Sequence, residues 1–167
     1  MFLLKPISAT AIPAALERAN RYRLLNEPDA AESICLDVLE VDPRNHEALV
    51  VLLLARTDLV SAGIPHAVHR AREVLPRLHD PYDRVYYAGL ICERRAHAQM
   101  KSTSMGAAAL AYDWYREAME HYAEAEKIRP AGNDEALLRW NTCARVLNSN
   151  PSLKPTATEH FEPMLDD

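Results

Sequence analysis

The chain has 167 residues, a formal net charge of −5 and 49% hydrophobic content, proportions that suit one compact domain or a short array and exclude a disordered chain. With 26 alanines against 4 glycines, and 7% aromatic residues, the composition favours close helix packing and argues against a β-sandwich. The acidic balance, without any run of basic residues, leaves no electrostatic footprint for nucleic acid.

Cys35, Cys92 and Cys143 are odd in number, far apart and set among apolar residues, so they read as reduced core thiols rather than a disulfide framework or a CxxC metal site. Residues 1–4 are apolar, but Lys5 and Pro6 interrupt them before a signal-peptide core can form. No later stretch reaches the ~20 apolar residues of a membrane span. The expected location is the cytoplasm.

In chain order, residues 1–11 form an N-terminal extension. The spacing predicts a helix over 12–23, with Pro13 in its first turn and Leu16, Ala19 and Tyr22 or Arg23 on adjacent turns. Asn26, Glu27 and Pro28 break it. A second helix carries Ala31, Ile34, Cys35, Val38 and Leu39 as an apolar stripe and stops at Asp42-Pro43, because proline disfavours the helical region in the residue before it. The unit recurs: a strongly apolar helix over 47–60, a turn at Ser61, Ala62 and Gly63, and a returning helix over 64–78. A third pair follows over 82–100 and 105–129, with Lys101 and Ser104 in the turn. A last helix over 134–147 has Ala136, Trp140, Cys143 and Leu147 on one stripe. Residues 148–167 are polar and proline-bearing and read as a flexible acidic tail. The predicted architecture is all-α, with hairpins at 12–43, 46–79 and 82–129 and a capping helix at 134–147.

The returning helices share a register. Ala31, Cys35, Val38 and Pro43 match Ala118, Tyr122, Ala125 and Pro130, and Ala67, Ala71 and Val74 repeat the first part. In the outgoing helices Ala15, Ala19 and Tyr22 correspond to Leu49, Leu53 and Arg56 and to Val85, Gly89 and Cys92. Small residues where two helices meet, apolar residues one turn on and a terminal proline make a pattern that resembles the tetratricopeptide repeat (TPR) family, with about three repeats and a capping helix. The middle unit departs from that pattern, with Leu53 where a small residue is usual and Arg56 where an aromatic is usual. The third departs by length: 29 residues separate Gly89 from Ala118, against 12 between Ala19 and Ala31. Both of its helices are therefore expected to overrun their neighbours, and Tyr112, Trp114 and Tyr115 near that end are a candidate association surface. The competing expectation is that these aromatics cap the hairpin's own core.

The resemblance implies an α-α superhelix of antiparallel hairpins whose concave face, lined by the outgoing helices, binds a peptide or protein segment. The corresponding positions here are Leu16, Asn20, Arg23, Glu47, Val50, Leu54, Asp58, Asp83, Tyr86, Leu90, Arg94, Leu137, Asn141 and Arg145. Arg23, Arg94 and Arg145 are of the type that pairs with carboxylates through two hydrogen bonds. Of the terminal-carboxylate clamp found in part of the family only Asn20 survives, so chaperone-tail capture by that clamp is not expected. The protein's own end, from His160 and Phe161 through Met164 and Leu165 to Asp166 and Asp167, is expected either to occupy an arginine-bearing groove or to remain a solubilising end.

The reading is thus a non-enzymatic adaptor, assembly factor or chaperone-like module with a protein partner and no cofactor. A three-repeat acidic chain of this size also looks like the chaperones of bacterial secretion translocators. Self-association through the long third hairpin or the tail is a further expectation. The alternative is a metal-binding or catalytic helical bundle using Glu/His pairs: His66, His69 and Glu73, Glu93 with His97, and Glu117 with His121 each share a helix face. Nearby Arg70, Arg72, Arg94 and Arg95 would repel a cation, so no metal is expected. No Gly-rich phosphate loop, nucleophile elbow or triad spacing occurs.

Overall fold

The structure is a computed structural model, and it describes residues 2–64 and 66–155. Those residues form seven α-helices and no strand: α1 (Ile12–Leu24), α2 (Pro28–Val41), α3 (His46–Ser61), α4 (Ala67–Arg72), α5 (Pro81–Met100), α6 (Ala107–Lys127) and α7 (Glu135–Ser149). Local chemistry sets several of these ends. Pro28 and Pro81 open α2 and α5 where their missing N–H costs nothing. The Asn45 side chain accepts from the Ala48 N–H at 2.9 Å and Asp80 from the Tyr82 N–H at 2.8 Å, capping α3 and α5. Turns that reverse the chain use left-handed backbone at Asn26 (φ 61°) and Gly63 (φ 75°).

The helices pair in sequence, α1 with α2, α3 with α4 and α5 with α6. Each outgoing helix also lies against the returning and outgoing helices of the pair before it: α3 on α2 and α1, α5 on α4 and α3. This is the neighbour pattern that stacked hairpins require. The shared register is a packing register, since Ala19, Ala31, Cys35, Leu53, Ala71, Ala118, Tyr122 and Ala125 are all fully buried. One core spans α1 to α3 with Val74 and Leu78, a second spans α5 to α7, and Tyr87 packs against both.

Four expectations are corrected. The second returning helix is not continuous over 64–78: α4 ends at Arg72 and a short 3-10 turn occupies Leu75–Arg77. Pro76 explains the stop, because it has no N–H to give the Arg72 carbonyl and its ring crowds that oxygen. Helix α6 begins at Ala107, after Gly106 at φ 78°, and leaves Met105 fully exposed. Trp140 is off the buried stripe of α7, 37% exposed, while Ala136 and Cys143 are buried. The polar end also does not begin at residue 148. Helix α7 runs to Ser149, the Asn150 amide donates to the Val146 carbonyl at 2.7 Å, and Leu153 is buried against the end of the third hairpin. The end expected to occupy the groove, His160 to Asp167, lies outside the described residues.

Helices α5 and α6 have 20 and 21 residues, against 13, 14 and 16 for α1, α2 and α3, so the third pair is the elongated one. At Gly89 its helices meet closely. A Cβ placed there would stand 2.8 Å from Tyr122 Cε1 and 3.1 Å from His121 Cβ, contacts that only glycine avoids.

Candidate functional site

Three groove positions, one from each outgoing helix, converge. Arg23 at the end of α1 donates through Nε to Asp58 Oδ2 on α3 at 2.9 Å, and an Arg94 guanidinium nitrogen on α5 lies 4.0 Å from Asp58 Oδ1. With Leu24, Asn26 and Ser61 they line a pocket of about 400 Å³. Two cations face one carboxylate, so the pocket carries an excess positive charge. Arg94 Nε and Ser61 Oγ are buried and find no hydrogen-bond partner among the described residues, while the Arg94 side chain as a whole is 32% exposed and leaves part of its guanidinium open to a ligand.

The other groove positions divide. Val50, Leu54, Asn20, Leu137 and Asn141 are half-buried and Arg145 and Glu47 are exposed. Leu16 and Leu90 are corrected: at 2% and 1% exposure they belong to the core, because α1 and α5 turn these positions toward the next helix. Tyr86 is likewise buried, stacked on Tyr82 at 5.7 Å and donating its hydroxyl to Glu135 at 3.4 Å. Asp83 pairs with His46 at 3.1 Å; burial raises its carboxyl above the usual range, and His46 works the other way.

The proposed association surface is also redistributed. Tyr115 is fully buried and donates to Met100 sulfur at 3.3 Å. Tyr112 is half-buried against the second core. Trp114 is covered by the Arg95 guanidinium, 3.8 Å from the ring centroid, with Arg72 of α4 at 5.9 Å. These side chains hold the third pair together and to α4, which favours the capping expectation.

Two buried glutamates tie the helices in threes: Glu32, which carries no sequence expectation, and Glu93, expected only as a partner of His97. Glu32 on α2, 5% exposed, accepts from Arg56 Nε on α3 at 3.0 Å and from Arg70 on α4. Glu93 on α5 accepts from the Tyr122 hydroxyl on α6 at 2.6 Å and from Arg139 on α7 at 3.2 Å. Burial first, then Glu93, holds the Tyr122 hydroxyl protonated far above its ordinary range. Burial opposes the charge on Arg139, yet Glu93 raises its affinity for its proton overall. With Glu93 turned inward and His97 exposed, that pair does not form a metal site. His69 and Glu73 do meet, at 3.2 Å, as an exposed surface pair.

Glu117 and His121 have a third neighbour. Cys92 Sγ donates to Glu117 Oε1 at 3.4 Å, His121 Nε2 is 4.0 Å from the same oxygen, and one donor atom of each residue lies within 4.8 Å of the others. Burial and then the Glu117 charge push the Cys92 thiol up to about 12.

The fold and these contacts define an all-helical protein of stacked hairpins with a cationic pocket at one end of its outgoing helices. Compared with known proteins, the chain matches no family model, no curated protein and no solved structure. Among the described residues no helix is long and apolar enough to cross a membrane.

Proposed function

We propose that the chain is a non-enzymatic protein-interaction module of the TPR type, an adaptor or chaperone-like factor of the cytoplasm that binds an acidic peptide segment along its outgoing helices. The observation that carries this reading is the convergence of Arg23, Asp58 and Arg94, from three successive outgoing helices, on one pocket with two cations against one carboxylate. Repeated hairpins present one side chain per repeat to the same face, so a ligand crossing that face meets Arg23, Asp58 and Arg94 in turn. Arginines held partly out of water by neighbouring helices are suited to carboxylates, through two parallel hydrogen bonds. Half-buried Val50 and Leu54 on α3 add apolar contact.

The chain's own acidic end is one candidate occupant. The last described residues leave the fold beside the end of the third hairpin, where Leu153 lies near Met100 and Ala107, so a tail ligand and the pocket belong to one connected molecule. The reading is tested by fluorescence anisotropy on a chain ending at Pro155, which keeps Leu153 in place. The labelled probes are a synthetic peptide of residues 156–167 and a set of acidic peptides of mixed sequence. Binding that weakens with added salt and with Arg94→Gln supports the module. If no acidic peptide binds, the interaction reading is lost; if others bind and the tail peptide does not, only the tail is excluded as occupant.

A further inference from the structure

The close approach at Gly89 has a chemical consequence one turn along α5. Cys92 there faces Glu117 and His121, which stand four residues apart on one face of α6, and a thiol, a carboxylate and an imidazole meet within 4.8 Å. All three are carried by long, well-packed helices rather than by loops. Cys92 is buried, whereas Glu117 and His121 are half-exposed, so an ion has a path inward and a closed floor. We propose that Cys92, Glu117 and His121 form a binding site for a borderline divalent transition metal of the zinc type, with the fourth position open to water or to a ligand from a partner.

The donor set chooses the metal class. Sulfur and imidazole nitrogen suit zinc and cobalt(II), and they are poor ligands for magnesium and calcium, which take oxygen. The geometry is close to what a tetrahedral ion needs: Zn–S of about 2.3 Å with Zn–N and Zn–O of about 2.0–2.2 Å places the ligand atoms about 3.4–3.6 Å apart. Cys92 and Glu117 are already at 3.4 Å. His121, now 4.0 Å from the shared oxygen, closes the rest by turning a half-exposed ring. On binding, the thiol gives its proton to solvent and sulfur forms the metal bond in its place.

Arg72 is the internal competitor. Its guanidinium lies 3.8 Å from Glu117 Oε1 and must yield when the ion enters. It has somewhere to go, because its side chain is 45% exposed and can swing into solvent. The site therefore forms by exchanging one cation for another on Glu117, and a vacant site is not left with an unpaired charge.

The experiment titrates the full chain, stripped with a chelator, with cobalt(II) and then zinc(II). The expected result is a thiolate-to-cobalt charge-transfer band with tetrahedral visible bands, saturating at one equivalent and displaced by zinc. Cys92→Ser removes the charge-transfer band, and His121→Ala weakens binding by more than about tenfold. His121 is half-exposed, so its variant keeps the test decisive even if Cys92→Ser unfolds the protein. Absence of the band in the unmodified chain, its survival in a folded Cys92→Ser variant, or unchanged affinity in His121→Ala overturns the proposal. The outcome is independent of peptide binding, which uses the other face of α5.

Discussion

In the third hairpin Gly89 faces Tyr122, whereas the corresponding positions of the middle hairpin hold Leu53 and Ala71, and those of the first hold Ala19 and Cys35. All are buried to the same degree. The large residue has changed helices between repeats. Between the middle and third hairpins the bulk moves from one helix to the other while the pair keeps a similar combined volume; in the first hairpin both members are small. Leu53, which breaks the pattern when α3 is read alone, is fully buried in the first core, and the matching position on α4 is the small Ala71. The polar joints differ in the same spirit: the middle hairpin is tied by two arginines on Glu32, and the third by a tyrosine and an arginine on Glu93.

The largest effect should come from removing the bulky half of the third pair. Tyr122→Ala vacates a fully buried ring and leaves Glu93 short of a donor, and should cost about 4 kcal/mol in urea unfolding. A loss below about 1 kcal/mol would mean that the Gly89–Tyr122 fit contributes little. Next, Glu32→Ala leaves the mostly buried Arg56 without its main partner. Because Glu73 remains 3.6 Å away, the cost should be about 2–3 kcal/mol, under the full penalty of breaking a buried pair.

Gly89→Ala sets two effects against each other. Alanine favours a helix by up to ~1 kcal/mol over glycine, but its methyl would enter a 2.8 Å contact with a ring that Glu93 holds in place. Overpacking should win, with a net loss of about 1–2 kcal/mol. A stabilised Gly89→Ala protein would show that the helices can part freely.

The smallest effect near neutral pH distinguishes no hairpin and tests burial in both cores. Burial chiefly raises the thiols of Cys35 and Cys143 from 9.0 to about 12. The unfolded chain therefore loses these protons first, and stability is constant below about pH 9 and falls as pH rises from 9 toward 12. Cys35→Ala should flatten that slope in unfolding titrations, and a thiol reagent should label native protein far more slowly than unfolded protein.

The hairpin count and the small-residue register were legible because period and proline punctuation are local signals. The length of α4 was legible too, in Pro76, but the apolar periodicity over 64–78 continues past that proline and masks it. Leu16, Leu90 and Tyr115 went to the wrong surface for one reason: a small rotation of a helix about its axis exchanges core and groove, and only the neighbouring helix fixes that rotation. Glu117 with His121 was visible as a pair four apart, while Cys92 was not, since its proximity depends on the cross-helix register that Gly89 permits. Glu32 left no trace, and Glu93 was legible only beside the wrong partner, His97, because a buried carboxylate looks like any other until its arginine arrives from a different helix.

The brevity of α4 makes the array uneven along its length. Six residues supply few internal backbone bonds, and a helix of fewer than two turns is marginal without support from its flanks. Deuterium should enter its amides sooner than those of α3 or α6. Under tension applied between the two ends, the chain should give way first at this link, leaving the α1–α3 core and the α5–α7 block as separate survivors.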